Sequence, residues 1–298
     1  MGIIGIDIGG TNFRIGLVDE QGKVSDFRKV PVKQVFTTPD PLADLSGFLR
    51  SYCEGKTVEA VAIGFPATLD AKREKVLQAP NIAFMENLPV VETLTKELEI
   101  PVFIERDVTF ALEYDCKKYG ITGEGIVCGF YFGTGIGNAI AINGQPLIGK
   151  HGTAGELGHI PVDGSEELCG CGNTGCMETL AGGRYLAHLC RTVYTDTHIS
   201  ELFTKHGEEP LLRQFVDRMA MTIATEVNIL DPDVVVIGGG VVAMADFPAD
   251  YLNERIIFRT RKPFPAEDLH ILYAEDGPEK CVIGAAIYAR RKRTDPDK

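Results

Sequence analysis

The chain has 298 residues, 44% of them hydrophobic, and a formal net charge of −12. That length and apolar content suit two lobes with a core each, and so acidic a chain has no electrostatic footprint for nucleic acid or an anionic membrane. No run of 18 apolar residues is available to span a bilayer, and Met1 leads into a strand-like run without a basic leader, so a cytoplasmic protein is expected.

Ile3, Ile4, Ile6 and Ile8, then Phe13, Ile15 and Leu17, flank a Gly-Gly-Thr-Asn turn and predict a β-hairpin. Ala60 to Phe65 predicts a strand ended by Pro66. Glu92 to Leu98 predicts a helix stopped before Pro101. Val102 to Glu105 predicts a short strand and Val108 to Tyr119 a helix. Such alternation argues an α/β fold. Ile126 to Ile142 predicts a second hairpin around a Gly-rich turn, which makes a faint internal repeat of the first. Residues 143–183 are rich in Gly and Cys and lack periodicity, so no regular structure is expected there. A helix over Leu211 to Leu230 leads into a buried strand, Val234 to Ile237, and three glycines. Lys280 to Arg290 predicts an amphipathic helix with a frayed basic tail.

Two Gly-rich turns have the makings of phosphate loops. In Asp7-Ile8-Gly9-Gly10-Thr11-Asn12 the glycines let backbone amides approach an anion, and Asp7 is placed to meet Mg²⁺ directly or through water. Gly133-Thr134-Gly135-Ile136-Gly137 repeats the device about 125 residues later. Either alone also fits an ordinary hairpin. Gly238-Gly239-Gly240 leaves room for a flat ring such as adenine, and also fits a plain tight turn. Gly55-Lys56-Thr57 lacks the upstream glycine of a nucleotide-binding P-loop, where Arg50 stands. The Gly-x-Gly-x-x-Gly string at 170–175 follows no strand. Together the two hairpins and the late triple glycine resemble the fold shared by actin, hexokinases and heat-shock chaperone ATPases. The resemblance implies a two-lobed, ribonuclease H-like ATPase fold with ATP phosphates on the first two loops.

Of eight cysteines, five are scattered (Cys53, Cys116, Cys128, Cys190, Cys281) and three cluster as Cys169-x-Cys171-x4-Cys176 after His159. One imidazole and three thiolates make a closed tetrahedral set, which predicts a structural zinc ion. Reduced thiols in a flexible loop are the plainer alternative.

The string Ala154-Gly155-Glu156-Leu157-Gly158-His159, followed by Cys-Gly-Cys-Gly-Asn-Thr-Gly-Cys-Met-Glu178, closely resembles the signature of the ROK (repressor, open reading frame, kinase) family. The resemblance runs from Gly5 to Ala289. It implies an ATP-dependent sugar kinase using Mg²⁺, commonly a homodimer, in which Glu156, His159 and Glu178 bind sugar hydroxyls and His159 also serves the zinc. Two carboxylates on a metal-ordered loop suit a polyol, since each accepts several O–H bonds; they also suit solvated surface charge.

Phosphoryl transfer to a hydroxyl needs a carboxylate placed to take its proton. Asp107 follows a strand and opens a helix, which suits a base and equally a helix cap. By resemblance it matches the family's catalytic aspartate. Arg106 stands where the family usually has Asn. Asn81 matches a sugar-contact position, and also reads as a turn asparagine. Gly64-Phe65-Pro66-Ala67 matches a Gly-x-Pro-Gly turn with Ala67 in place of the last glycine, and Asn12 stands where many members have Lys. The departures at Ala67 and Arg106 resemble D-allose kinases more than glucokinases or fructokinases. An Arg106 ion-paired on the surface would instead leave ordinary glucokinase specificity.

The expected organisation is an N-terminal lobe over 1–113 carrying the first loop and Asp107, completed by a C-terminal helix at about 285–298. A second lobe over 114–284 would carry the second loop, the zinc loop and the adenosine loop. The expected activity is transfer of phosphate from ATP to the 6-hydroxyl of a hexose, D-allose above glucose, fructose or an N-acyl-hexosamine. A sugar-responsive repressor is the rival from another class. A strand beginning at Ile3 leaves no room ahead of it for a helix-turn-helix.

Overall fold

A computed structural model describes residues 1–294, and the last four residues of the expected C-terminal helix lie outside them. Two compact units emerge, one made of residues 1–122, 148–154 and 277–294, the other of 123–147 and 155–276. The boundary expected after residue 113 falls inside a continuous helix, Asp107–Lys118.

The first unit is built on five strands: β1 (Gly2–Ile8), β2 (Asn12–Val18), β3 (Val24–Pro31), β4 (Val58–Phe65) and, after the two-stranded ribbon β5 (Thr68–Leu69) and β6 (Val76–Gln78), β7 (Val102–Arg106). Their order is β3-β2-β1-β4-β7. The β1–β2 and β2–β3 pairs are antiparallel, β1–β4 and β4–β7 parallel. Every residue of β1 is buried, as a central strand covered on both faces requires, so its sequence is a run and not an alternation. Helix Pro41–Cys53 starts on a sequence-encoded cap, the Asp40 carboxylate accepting from the Ala43 N–H with Pro41 in the first turn. The helix Lys280–Thr294 runs four residues past the expected end at Arg290. Val282, Ala285, Ala286 and Ala289 close a core with Ile3, Val18, Ala60, Ala62 and Phe110.

The second unit repeats the plan with β8 (Ile126–Phe132), β9 (Ile136–Ile142), β10 (Gln145–Pro146), β11 (Val234–Gly238) and β12 (Ile271–Tyr273), in the order β10-β9-β8-β11-β12. Again two antiparallel pairings are followed by two parallel ones. The long helix Pro210–Leu230 buries Leu212, Phe215, Val216, Met219, Ala220, Ile223 and Val227, a stripe at helical spacing. The stretch 143–183 is more regular than expected. It holds β10, a short 3₁₀ turn at Leu157–His159, bridges pairing Pro161 with Cys176 and Leu168 with Thr174, and the helix Glu178–Ala181. Main-chain pairing in a loop leaves no mark in apolar periodicity. No helix among the described residues is long and apolar enough to cross a membrane.

Candidate active site

In the first unit the parallel register does the assembling. Asp7 on β1 lies opposite Gly64 on β4, which lies opposite Glu105 on β7. The three strands therefore end side by side, and the chain leaves β7 through Arg106 into the helix that Asp107 begins. Arg106 is the residue at the cap position, and Asp107 is already the first helical residue, its carboxylate accepting from the Val108 N–H at 2.8 Å. Asp107 is partly exposed. Its carboxyl is pushed up to about 7, chiefly by loss of solvent and then by the negative charge of Asp7; the Val108 N–H and the Arg106 charge oppose the rise. A carboxyl poised near neutrality is what a general base at physiological pH needs.

Asp7 is buried and ion-paired to Arg14, directly opposite it across the β1–β2 hairpin. Arg14 is a functional neighbour that no motif marks; only the pairing of Asp7 with Arg14 across the hairpin brings it there. The turn folds on itself by the Gly9 N–H donating to the Asn12 carbonyl, and the Val32 N–H holds the Thr11 carbonyl. Among the described residues no backbone acceptor takes the N–H of Gly10 or Thr11, which leaves both for an anion. Asn81 is exposed and sits against Gly10, where an added Cβ would lie 3.1 Å from its own. Gly64 packs under the Phe110 ring, where a Cβ would lie 3.0 Å from it, and Ala67 is partly buried against the apolar core. Arg106 is buried. Glu105, with no exposure at all, pairs with Arg73 at 2.8 Å, and Arg73 in turn holds the Gly152 carbonyl.

In the second unit the loop is shorter than the sequence pattern implied. Gly133, Thr134 and Gly135 form it, while Ile136 and Gly137 already belong to β9. The Gly133 N–H donates to the Gly135 carbonyl, and the N–H groups of Thr134 and Gly135 have no backbone acceptor among the described residues. Gly239, at φ +96°, is pressed on Phe132 at the end of β8; a Cβ there would meet that backbone at 2.6 Å. Backbone crowding alone demands this glycine, whereas Gly240 faces open space.

His159, Cys169, Cys171 and Cys176 come together with all ligand atoms within 4.8 Å of one another. The loop is drawn in by its own backbone, the Cys169 N–H donating to Asn173 and the Gly172 N–H to Cys169. Metal bonds of about 2.3 Å to sulfur and about 2.1 Å to nitrogen set tetrahedral neighbours about 3.8 Å apart for two sulfurs and about 3.6 Å for sulfur and nitrogen. The Cys171 and Cys176 sulfurs are 3.7 Å apart, and Cys169 Sγ is 3.5 Å from His159 Nδ1. The four residues therefore fit a zinc ion. The other imidazole nitrogen, Nε2, faces a Glu156 carboxylate oxygen at 3.5 Å, the kind of outer partner that orients a metal-bound histidine. Glu178, two residues past Cys176, turns to the second loop and accepts the Ile136 N–H at 3.0 Å.

The family model that matches residues 3–292 is that of the ROK family. A glucokinase of Thermotoga maritima is 28% identical over 278 residues, 86% of this chain and 87% of that protein. An N-acetyl-D-glucosamine kinase of Shigella flexneri is 30% identical over 271 residues, 82% of this chain and 85% of that protein. Among solved structures, a ROK family glucokinase from Streptomyces griseus in complex with glucose and AMPPNP matches with a TM-score of 0.77 and 28% identity, covering 98% of this chain and all of that one.

Proposed function

The chain belongs to the ROK family, and we propose from that premise that it is an ATP-dependent kinase acting on the 6-hydroxyl of a hexose. The observation that carries the reading is the row Asp7, Gly64, Glu105 on neighbouring strands, which sets the first Gly-rich turn beside a base with a carboxyl near neutrality. The Asp107 carboxylate accepts the hydroxyl proton, the freed oxygen attacks the γ-phosphorus, and the bond to ADP breaks, giving a hexose 6-phosphate. Gly9, Gly10, Thr11 and Asn12 offer amides to the phosphates, as do Gly133, Thr134 and Gly135 in the second unit. Mg²⁺ bound with the nucleotide would supply charge neutralisation on the phosphates, and Asp7, buried against Arg14, would be the residue to hold it, directly or through water. Residues 238–240 take the adenosine. Asn81, Gly64, Ala67 and Arg106 form the sugar contacts of the first unit, Glu156, His159 and Glu178 those of the second. Zinc on His159, Cys169, Cys171 and Cys176 is structural, because four protein ligands leave no open position. Assembly as a homodimer is proposed from the family resemblance.

The proposed sugar is D-allose. Glucose and allose differ in one hydroxyl, and a mispaired hydroxyl costs about 1–3 kcal/mol. A buried guanidinium at Arg106 only donates, where the family's usual amide both donates and accepts. The named relatives favour a second reading, glucose or an N-acetylated hexosamine. An ADP-release screen over hexoses and amino sugars, with allose and glucose in direct competition, tests both levels. Allose should show the higher kcat/KM. A glucose preference of tenfold or more defeats the allose reading and leaves the kinase standing, whereas no phosphorylated sugar at all defeats the kinase.

A further inference from the structure

The second loop is held by one stretch of chain on both of its flanks. Past the metal ligand Cys176, Glu178 begins a short helix and sends its carboxylate to the Ile136 N–H at 3.0 Å. Where that helix ends, the N–H groups of Gly183 and Arg184 donate to the carbonyls of Gly133 and Thr134 at 2.8 and 3.0 Å. The fit around the carboxylate is close. A Cβ added to Gly135 would lie 2.0 Å from Glu178 Oε2 and 2.6 Å from its Cδ. The amides with no backbone acceptor among the described residues, those of Thr134 and Gly135, lie between these fixed points.

We infer that Glu178 is a positioning residue for the second phosphate loop, so that one carboxylate serves both the sugar site and the nucleotide loop. The inference rests on the kinase reading and adds a coupling to it. One oxygen of Glu178 is engaged by the Ile136 amide, and the other remains for a sugar hydroxyl. A bound sugar therefore fixes the rotamer that shapes the loop, and a bound nucleotide fixes the rotamer that receives the sugar. Such coupling is reciprocal by thermodynamic necessity. The backbone bonds of Gly183 and Arg184 alone hold the loop's carbonyl side and leave its amide side free to turn.

The test is nucleotide affinity measured without sugar, by calorimetry with Mg²⁺ and a non-hydrolysable ATP analogue on the full chain. Glu178→Ala should weaken the analogue by about tenfold, while Glu178→Gln, whose amide oxygen still accepts the Ile136 N–H, should stay within about threefold of the parent. A merely structural role would not be rescued in this way. Gly135→Ala should also weaken the analogue in the parent, yet cost little further in the Glu178→Ala background, where the colliding carboxylate is gone. This pairing keeps the test decisive should one single variant fold poorly. Unchanged affinity in Glu178→Ala, equal loss in Ala and Gln, or the same cost of Gly135→Ala in both backgrounds would each overturn the inference while the kinase stands. A parent chain that binds no analogue would take down the kinase reading and the coupling with it.

Discussion

The sheets β3-β2-β1-β4-β7 and β10-β9-β8-β11-β12 share strand order and strand direction, and each opens a Gly-rich turn between its first two strands in the chain. They differ in what steadies the turn. In the first unit charges stand around it where β1 ends and the helix after β7 begins: Asp7 paired with Arg14, and Asp107 feeling the charge of Asp7. In the second the turn is held by the excursion from 155 to 184, whose backbone amides and one carboxylate grip it and whose His159, Cys169, Cys171 and Cys176 gather as a candidate metal set. One backbone plan thus supplies amides twice, and each copy acquires its chemistry from what is attached to it. A parallel sheet lends itself to this, since everything appended to the carboxyl ends of its strands arrives at one edge.

The largest effect expected from breaking the contrast is in the charged copy. Asp107→Asn should lower kcat by about 10²-fold or more with sugar affinity nearly intact, because general-base catalysis contributes about 10²–10⁴. Steady-state kinetics of the parent should show kcat rising as pH passes upward through about 7, as the Asp107 carboxyl ionises. A variant keeping more than a tenth of parental turnover would remove Asp107 from the mechanism.

The copy with the His159 and cysteine cluster should fail differently. Zinc should accompany the chain at one ion per molecule in elemental analysis, and Cys171→Ser should lose it. Sugar affinity should then fall by about tenfold through Glu156, His159 and Glu178, with the Asp107 pH profile unmoved. Protein purified without chelator that contains no zinc would end the claim.

The smallest effect lies in stability. The Asp107 carboxyl is raised from an ordinary 3.8 to about 7 in the folded chain. Between those values the folded chain holds a proton that the unfolded chain has released, so this residue's contribution to stability declines as pH climbs from about 4 to about 7 and stays low above. Asp107→Asn should therefore melt a few degrees higher than the parent at pH 8, with the gain fading toward pH 4. Thermal melts across that range would show an equal offset at both ends if Asp107 were ordinary.

Much of this was legible in the chain because it depends on local spacing. The hairpins around 9–12 and 133–135, the ligand set at 159–176 and the aspartate after β7 each sit within a short window. What escaped depends on pairing across distance or on thin patterns. Arg73 and Glu105 are a buried pair 32 residues apart, joined only by the tertiary fold. Strand β3 has no buried residue and exposes Ser25, Asp26, Arg28 and Lys29 in adjacent pairs, so no alternation marks it. Helix Ala249–Arg259 buries only Leu252 and Ile256, too few to draw a stripe. Glu178 read as a sugar ligand alone, because its hold on Ile136 spans 42 residues.

The helix Lys280–Thr294 carries one more consequence, which concerns synthesis. It supplies Val282, Ala285, Ala286, Tyr288 and Ala289 to a core whose other members are Ile3, Val18, Ala60, Ala62 and Phe110. A ribosome adding about 5–20 residues per second leaves those partners waiting for on the order of ten seconds or more before the helix emerges. The second unit, whose sheet is complete once Tyr273 is made, has all its strands before the first unit can close. The nascent first unit therefore spends that interval with the part of the β1 and β4 face that this helix covers still open to solvent.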